Sequence, residues 1–149
     1  MTRLMVLSIC ALLLAVACKK DRDQTEIDRE KIEQYLAANN LTATAHPSGL
    51  YYIITEPGTG ANPPTNANVT VRYKGSLLDG TVFDQTPGNE ARTFPLQNLI
   101  QSWQIGIPLV ARGGKITLFS PSALAYGSRG VGIIPANSVL IFEIELVNF

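Results

Sequence analysis

Residues 69–84 read VTVRYKGSLLDGTVFD, and this stretch decides which fold the sequence predicts. Val69, Val71 and Tyr73 alternate with polar residues, which is the pattern of a strand buried on one side. The dipeptide Asp79-Gly80 follows, and Asp-Gly is typical of a tight turn between antiparallel strands. An antiparallel hairpin is therefore predicted in the middle of the chain.

Further strands are predicted on both sides of this hairpin. Apolar and β-branched residues that share a face predict strands over 51–55, 115–119 and 139–147. Helical spacing occurs over 25–39, where Thr25 could cap the helix, and in a short piece over 96–103. Residues 121–135 are predicted to form a long loop. Together these elements predict an α+β fold, in which an antiparallel twisted β-sheet is wrapped around one short helix.

The N-terminal residues have the features of an export signal. Arg3 precedes an apolar run over 4–17, which is shorter than the roughly 20 residues that a membrane-spanning helix needs. The run ends in LAVAC and is followed by Lys19-Lys20. Small residues before a cysteine at such a boundary resemble a lipobox, so Cys18 is predicted to be acylated and to become the mature N-terminus. The alternative is an ordinary cleaved signal peptide with an incidental cysteine.

This interpretation divides the chain into three parts. Residues 1–17 form the signal peptide, 18–46 hold the lipidated cysteine, a tether and the N-terminal helix, and 47–149 form the folded domain. The protein is then expected in the cell envelope, lipid-anchored to a bacterial membrane on its periplasmic or surface side. The N-terminal helix could pack on the domain, act as a solvated spacer, or pair with a second copy to give a homodimer.

Composition and motifs exclude several classes of function. The net charge is zero and no basic patch stands out, so a nucleic-acid partner is not expected. His46 is the only histidine, and neither a metal-ligand cluster, a catalytic triad nor a cofactor fingerprint is present. The sequence therefore predicts no metal and no cofactor.

One reaction needs neither a nucleophile nor a proton shuttle. Rotation about an Xaa-Pro amide breaks no covalent bond, and its barrier of roughly 18–20 kcal/mol comes from amide resonance. The twisted transition state loses that resonance and is less polar than the planar amide. An apolar aromatic pocket can therefore favour it.

Seven blocks of the sequence are informative when they are taken together: VTVRYKG at 69–75, LDGTVFD at 78–84, LIQSW at 99–103, GGK at 113–115, AYG at 125–127, IIP at 133–135 and LIFEIEL at 140–146. In this order and with compatible spacing, they resemble the FKBP-type peptidyl-prolyl cis-trans isomerase family over about residues 48–149. The resemblance implies the FKBP-like fold for this domain and proline-containing polypeptides as partners.

The resemblance also implies which residues form the proline pocket. Trp103 would be its floor, the Ile100 N–H and the Tyr126 hydroxyl would hold a substrate carbonyl, and Asp84 would orient groups at the edge. The implied catalytic residues are Tyr73, Phe83, Asp84, Tyr126 and Phe142. The implied substrate-binding residues are Leu99, Ile100 and Trp103, with Ile133 and Ile134 in an overhanging loop.

The rim of the implied pocket departs from the family pattern. Ser102 and Gln97 stand where glycine is usual, Arg92 replaces a frequent aromatic residue, Leu124 replaces a frequent tyrosine, and the segment before Leu99 is shorter. The expected function is Xaa-Pro isomerisation in exported proteins. One alternative is a proline-binding or chaperone module of the same fold with little turnover. Another is a structural lipoprotein whose aromatic residues are only core.

Overall fold

The computed structural model describes residues 22–149, so the predicted signal peptide and Cys18 lie outside the described residues. No helix within 22–149 is long and apolar enough to cross a membrane. The helices are α1 (Gln24–Ala38) and α2 (Gln101–Gly106). The strands are β1 (Thr44–Ala45), β2 (Tyr51–Glu56), β3 (Asn68–Leu77), β4 (Val82–Gln85), β5 (Arg92–Pro95), β6 (Lys115–Ser120) and β7 (Leu140–Asn148).

All seven strands form one antiparallel sheet, which confirms the predicted fold class. Its order is β1-β2-β6-β7-β3-β4, and β5 pairs with the first half of β3. The central pair is β3 with β7, where Tyr73 lies opposite Ile144 and Gly75 opposite Phe142. The predicted hairpin is present, with Gly80 at φ +89° in the turn, a backbone conformation that glycine adopts without a steric penalty.

The two faces of the sheet are covered by different helices. Leu118 and Phe142 pack in a large core that also contains Trp103 of α2. Their strand neighbours Phe119 and Ile141 belong to a second cluster, which contains α1. Since successive side chains of a strand point to opposite faces, α2 and α1 lie on opposite sides of the sheet.

Helix α1 packs on the domain, as the first of the three predictions for it states, and it is therefore not a solvated spacer. Ile32 and Leu36 are buried against the sheet. The prediction that Thr25 caps the helix is wrong, because Asp23 is the N-cap and its carboxylate accepts from the Thr25 N–H at 3.4 Å. Contacts cross the predicted boundary between 46 and 47, since β1 pairs with β2, and that boundary stays a prediction.

The short helix begins later than the sequence predicted. The segment over 96–103 is not one helix. A 3₁₀ turn spans Leu96–Asn98 and is capped by Leu99, and α2 begins only at Gln101. Leu99 and Ile100 have extended backbone, with ψ of 169° and 152°. This break separates the two apolar side chains from the helix. The long loop predicted over 121–135 is present and contains one further 3₁₀ turn, Ser122–Leu124.

Candidate active site

A cavity of about 170 Å³ opens between the sheet and α2. Its volume suits one small ring, since an apolar cavity of about 150 Å³ in another protein binds benzene. Eight of the ten pocket residues named from the sequence line it, and Phe94 lines it as well. The eight are Tyr73, Phe83, Asp84, Leu99, Ile100, Trp103, Tyr126 and Phe142.

Trp103 forms the base of the cavity and is held by aromatic neighbours. Its ring lies 5.0 Å from that of Tyr73 and 5.5 Å from that of Phe142, centroid to centroid, both edge to face. Phe94 contacts the same indole from β5 at 6.4 Å. Edge-to-face packing at these distances is favourable beyond the area it buries. The floor is therefore formed by closely packed aromatic rings.

Phe83 reaches the cavity because β3 carries a glycine at the crossing point. Its ring stands edge to face on Phe142 at 5.7 Å. A Cβ added at Gly75 would lie 2.5 Å from the Phe83 ring, closer than any real side chain allows. Gly75 thus permits the close contact that places Phe83 in the wall.

The polar edge of the cavity consists of a hydroxyl and a carboxylate. The Tyr73 hydroxyl donates to Asp84 Oδ2 at 2.5 Å, a distance typical of a charge-assisted bond. Burial, the hydrogen bond to Asp84 and the negative charge of that carboxylate raise the pKa of Tyr73 to about 12, and Arg92 opposes this rise. The Tyr73 proton is thereby retained, and its hydroxyl fixes the Asp84 side chain.

The raised pKa of Tyr73 predicts how stability depends on alkaline pH. An unfolded tyrosine ionises near pH 10, whereas Tyr73 in the folded protein ionises at about 12. The stabilisation is present below pH 10 and is lost as the pH rises towards 12. We expect the free energy of unfolding, measured by urea titration, to fall more steeply over this range in wild type than in Tyr73→Phe. Equal slopes would contradict the assignment.

Two groups at the mouth can donate to a ligand carbonyl. Tyr126 is 37% exposed, and burial together with the charge of Asp84 raises the pKa of its hydroxyl. The Ile100 N–H donates to no backbone or side-chain acceptor within residues 22–149. Gln104 fixes the adjoining backbone, because its Nε2 donates to the Leu99 carbonyl at 2.6 Å.

Ile133 and Ile134 do not line the aromatic cavity. They border a neighbouring cavity of about 360 Å³, which shares Phe83, Asp84 and Tyr126 with the first. Ile133 is 62% exposed, whereas Ile134 is buried in the main core. Of these two isoleucines, only Ile133 is therefore accessible from solvent, and Ile134 packs in the core.

Sequence reasoning missed Phe94 because strand β5 was not predicted. Its four residues end in a proline and are followed at once by a 3₁₀ turn, so the alternating pattern is too short to stand out. The pattern is nevertheless there. Thr93 bonds to Thr70 on one face at 2.8 Å, and Arg92 and Phe94 share the other face.

The described residues therefore combine an antiparallel sheet with an aromatic cavity and a hydroxyl–carboxylate pair at its edge. A family model described as FKBP-type peptidyl-prolyl cis-trans isomerase matches residues 60–147. The chain belongs to this family.

Three similar proteins illustrate the relationship. FKBP-type peptidyl-prolyl cis-trans isomerase FkpA of Aeromonas hydrophila is 45% identical over 132 residues, which are 87% of this chain and 49% of that protein. Outer membrane protein MIP of Legionella longbeachae is 38% identical, covering 91% of this chain and 60% of that protein. The crystal structure of FkpA from Escherichia coli superposes with a TM-score of 0.74 at 35% identity, over 83% of this chain and 60% of that chain. The chain thus spans about half the length of the curated relatives it matches.

Proposed function

We propose that this protein is a peptidyl-prolyl cis-trans isomerase that acts on proline-containing segments of exported proteins. The observation that carries the proposal is the aromatic cavity of about 170 Å³ over Trp103, with the Tyr73–Asp84 pair at its edge. A proline ring is apolar and of the size that such a cavity accepts. Family membership supports the same reaction.

In the proposed mechanism the cavity binds the twisted amide better than the planar one. The proline ring rests on Trp103, and the walls remove water from the amide. Since the planar amide is the more polar form, it loses more by this desolvation than the twisted form does. Lowering the barrier by about 5 kcal/mol would accelerate rotation by nearly four orders of magnitude.

Donors at the mouth hold the carbonyl groups that flank the rotating bond. We assign this role to the Ile100 N–H and the Tyr126 hydroxyl, and the support is that both residues line the cavity. Asp84 is held by Tyr73 and provides the negative edge. No step transfers a proton or forms a covalent bond.

A binding module with little turnover is the second candidate. The observation that favours it is the exposed apolar loop beside the cavity, where Val131 is 56% and Ile133 62% exposed. Such side chains suit unfolded segments whether or not their prolines isomerise.

A protease-coupled assay on a tetrapeptide with one Xaa-Pro bond separates the candidates. We expect the full-length protein, purified in mild detergent, to accelerate the slow phase; unchanged kinetics with measurable peptide binding would favour the module.

We propose further that Cys18 is acylated and anchors the protein in the cell envelope. Support comes from the LAVAC boundary and from a relative whose name is outer membrane protein MIP. Cys18→Ser is expected to abolish the lipid mass increment in intact-mass spectrometry and to release the protein from membranes. Cys10→Ser, within the predicted signal peptide, is the matched control and should change neither. Membrane retention of the Cys18→Ser protein would contradict the anchor.

A homodimer that pairs through α1 is a further proposal. The apolar residues that would pair, Ile32 and Leu36, are buried against the chain's own sheet. Pairing would therefore use the charged outer face of α1. Sedimentation in detergent with and without Glu30→Lys tests it, and a monomer in both cases would exclude it.

A further inference from the structure

Asp28 is a buried carboxylate that joins two distant parts of the chain. It lies in α1 and is only 1% exposed. Its Oδ2 accepts from the Ser122 N–H at 2.8 Å and from the Ser122 hydroxyl at 2.5 Å, and its Oδ1 accepts from Gln24 Nε2 at 2.7 Å. A buried charge is costly unless it is fully hydrogen-bonded, so this geometry is specific rather than incidental.

Ser122 in turn holds the backbone on both sides of Tyr126. The Ser122 carbonyl accepts from the Ala125 N–H at 3.0 Å and from the Gly127 N–H at 2.8 Å. Tyr126 therefore sits in a tight turn whose first residue is fixed by Asp28. The chain of contacts runs from the carboxylate of α1 through one serine to the residue at the mouth of the cavity.

This link crosses the sheet. Helix α1 packs on the face opposite α2 and the aromatic cavity, and it lies outside the residues that the family model matches. The loop with Tyr126 begins directly after β6, at the end of the sheet where Asp28 reaches it. Among the described residues, none of those that line the aromatic cavity belongs to α1.

We propose that Asp28 is a positioning residue that orders the Tyr126 turn from the far side of the sheet, so that α1 belongs to the catalytic unit. The effect on turnover rests on the proposed isomerase function, whereas the effect on the turn does not. A misplacement of about 1 Å at a group that contacts substrate can cost up to roughly a hundredfold in rate. Ordering the turn is thus enough to matter for catalysis.

Glu33 provides a matched control on the same helix. Its carboxylate accepts from the Tyr51 hydroxyl at 2.8 Å and so also ties α1 to the sheet, but at β2 and far from the Tyr126 loop in sequence. Glu33→Gln should weaken the docking of α1 without altering the turn. Asp28→Asn keeps the shape but loses the charge and at least one acceptor site.

The experiment compares wild type, Asp28→Asn, Ser122→Ala and Glu33→Gln as full-length proteins in mild detergent. Two quantities are measured: kcat/KM for a tetrapeptide, per folded molecule, and the amide hydrogen exchange of Ala125 and Gly127. We expect Asp28→Asn to lower kcat/KM about threefold to tenfold and to accelerate exchange at both amides, while Glu33→Gln changes neither. Ser122→Ala keeps the backbone N–H donor, so its kcat/KM and its exchange rates should lie between those of wild type and Asp28→Asn. This variant keeps the proposal testable if Asp28→Asn does not fold.

A double-mutant cycle identifies the route of the effect. If Asp28 acts through Tyr126, Asp28→Asn should lower kcat/KM only slightly further in a Tyr126→Phe background. Additive losses would overturn the proposed route, and unchanged exchange at Ala125 and Gly127 in Asp28→Asn would overturn the proposal itself. An inactive wild type whose exchange still responds to Asp28→Asn would refute the isomerase function but not the ordering of the turn.

Discussion

Replacing Trp103 with alanine is expected to lower the free energy of unfolding by about 3–5 kcal/mol, the usual range for a buried tryptophan, and to abolish measurable isomerase activity. Trp103 is 5% exposed and contacts three other aromatic rings, so its removal leaves a hole that Tyr73 and Phe142 cannot fill without moving. Such a loss is a large part of the stability of a domain of this size. Urea denaturation measures the loss. It is followed by circular dichroism, because Trp103 is the sole tryptophan of the sequence and its replacement removes the tryptophan fluorescence signal.

Activity must be separated from stability in this experiment. Trp103→Leu keeps more of the volume, and we expect a folded protein with little turnover. Phe119→Leu is the control, since Phe119 is equally buried but belongs to the cluster under α1. It should lose stability and keep its kcat/KM per folded molecule. Equal losses of activity in Trp103→Leu and Phe119→Leu would mean that the aromatic residues are only core.

Replacing Asp84 with leucine is expected to lower kcat/KM by about one to two orders of magnitude, which corresponds to the 1.5–3 kcal/mol of a charged hydrogen bond. Leucine removes both the negative charge at the cavity edge and the acceptor for the Tyr73 hydroxyl. Stability should change little, because the Asp84 side chain lies at an exposed position. Steady-state kinetics over several tetrapeptides checks the loss.

Two further variants show which property of Asp84 matters. Asp84→Asn retains an acceptor for Tyr73 without the charge, so its activity should lie between wild type and Asp84→Leu. Asp79→Asn removes a carboxylate from the neighbouring turn, where Asp79 Oδ1 accepts from the Thr81 N–H at 2.9 Å. We expect that control to retain full activity. Wild-type kinetics in Asp84→Leu would remove Asp84 from the mechanism.

The sheet could be predicted because its information is local. Val69, Val71 and Tyr73 alternate with polar residues, and the structure buries these three while Arg72 and Lys74 pair with glutamates of β7 on the other face. The Asp79-Gly80 turn is encoded by two adjacent residues. Where the spacing of the apolar residues and the turn residues indicate the same structure over a few positions, a strand can be predicted.

The features that the sequence did not predict depend on contacts between residues that lie far apart in the chain. Nothing near Leu99 indicates that the backbone breaks there, since its apolar spacing to Trp103 fits a helix as well as it fits an extended corner. Phe94 enters the cavity only because β5 pairs with β3. Asp28 resembles any charged residue on a helix surface, and its burial depends on Ser122, 94 positions further along the chain.

The most direct test of the account is exchange NMR on a proline-containing tetrapeptide mixed with the full-length protein in mild detergent, because it observes cis-trans interconversion without a coupling protease. Wild type is expected to produce exchange cross-peaks between the cis and trans forms at substoichiometric enzyme. Trp103→Leu and Asp84→Leu should produce few or none, and Phe119→Leu should match wild type. Absence of exchange with well-folded wild type, or exchange as fast as wild type in the Trp103→Leu and Asp84→Leu proteins, would contradict catalysis by the aromatic cavity.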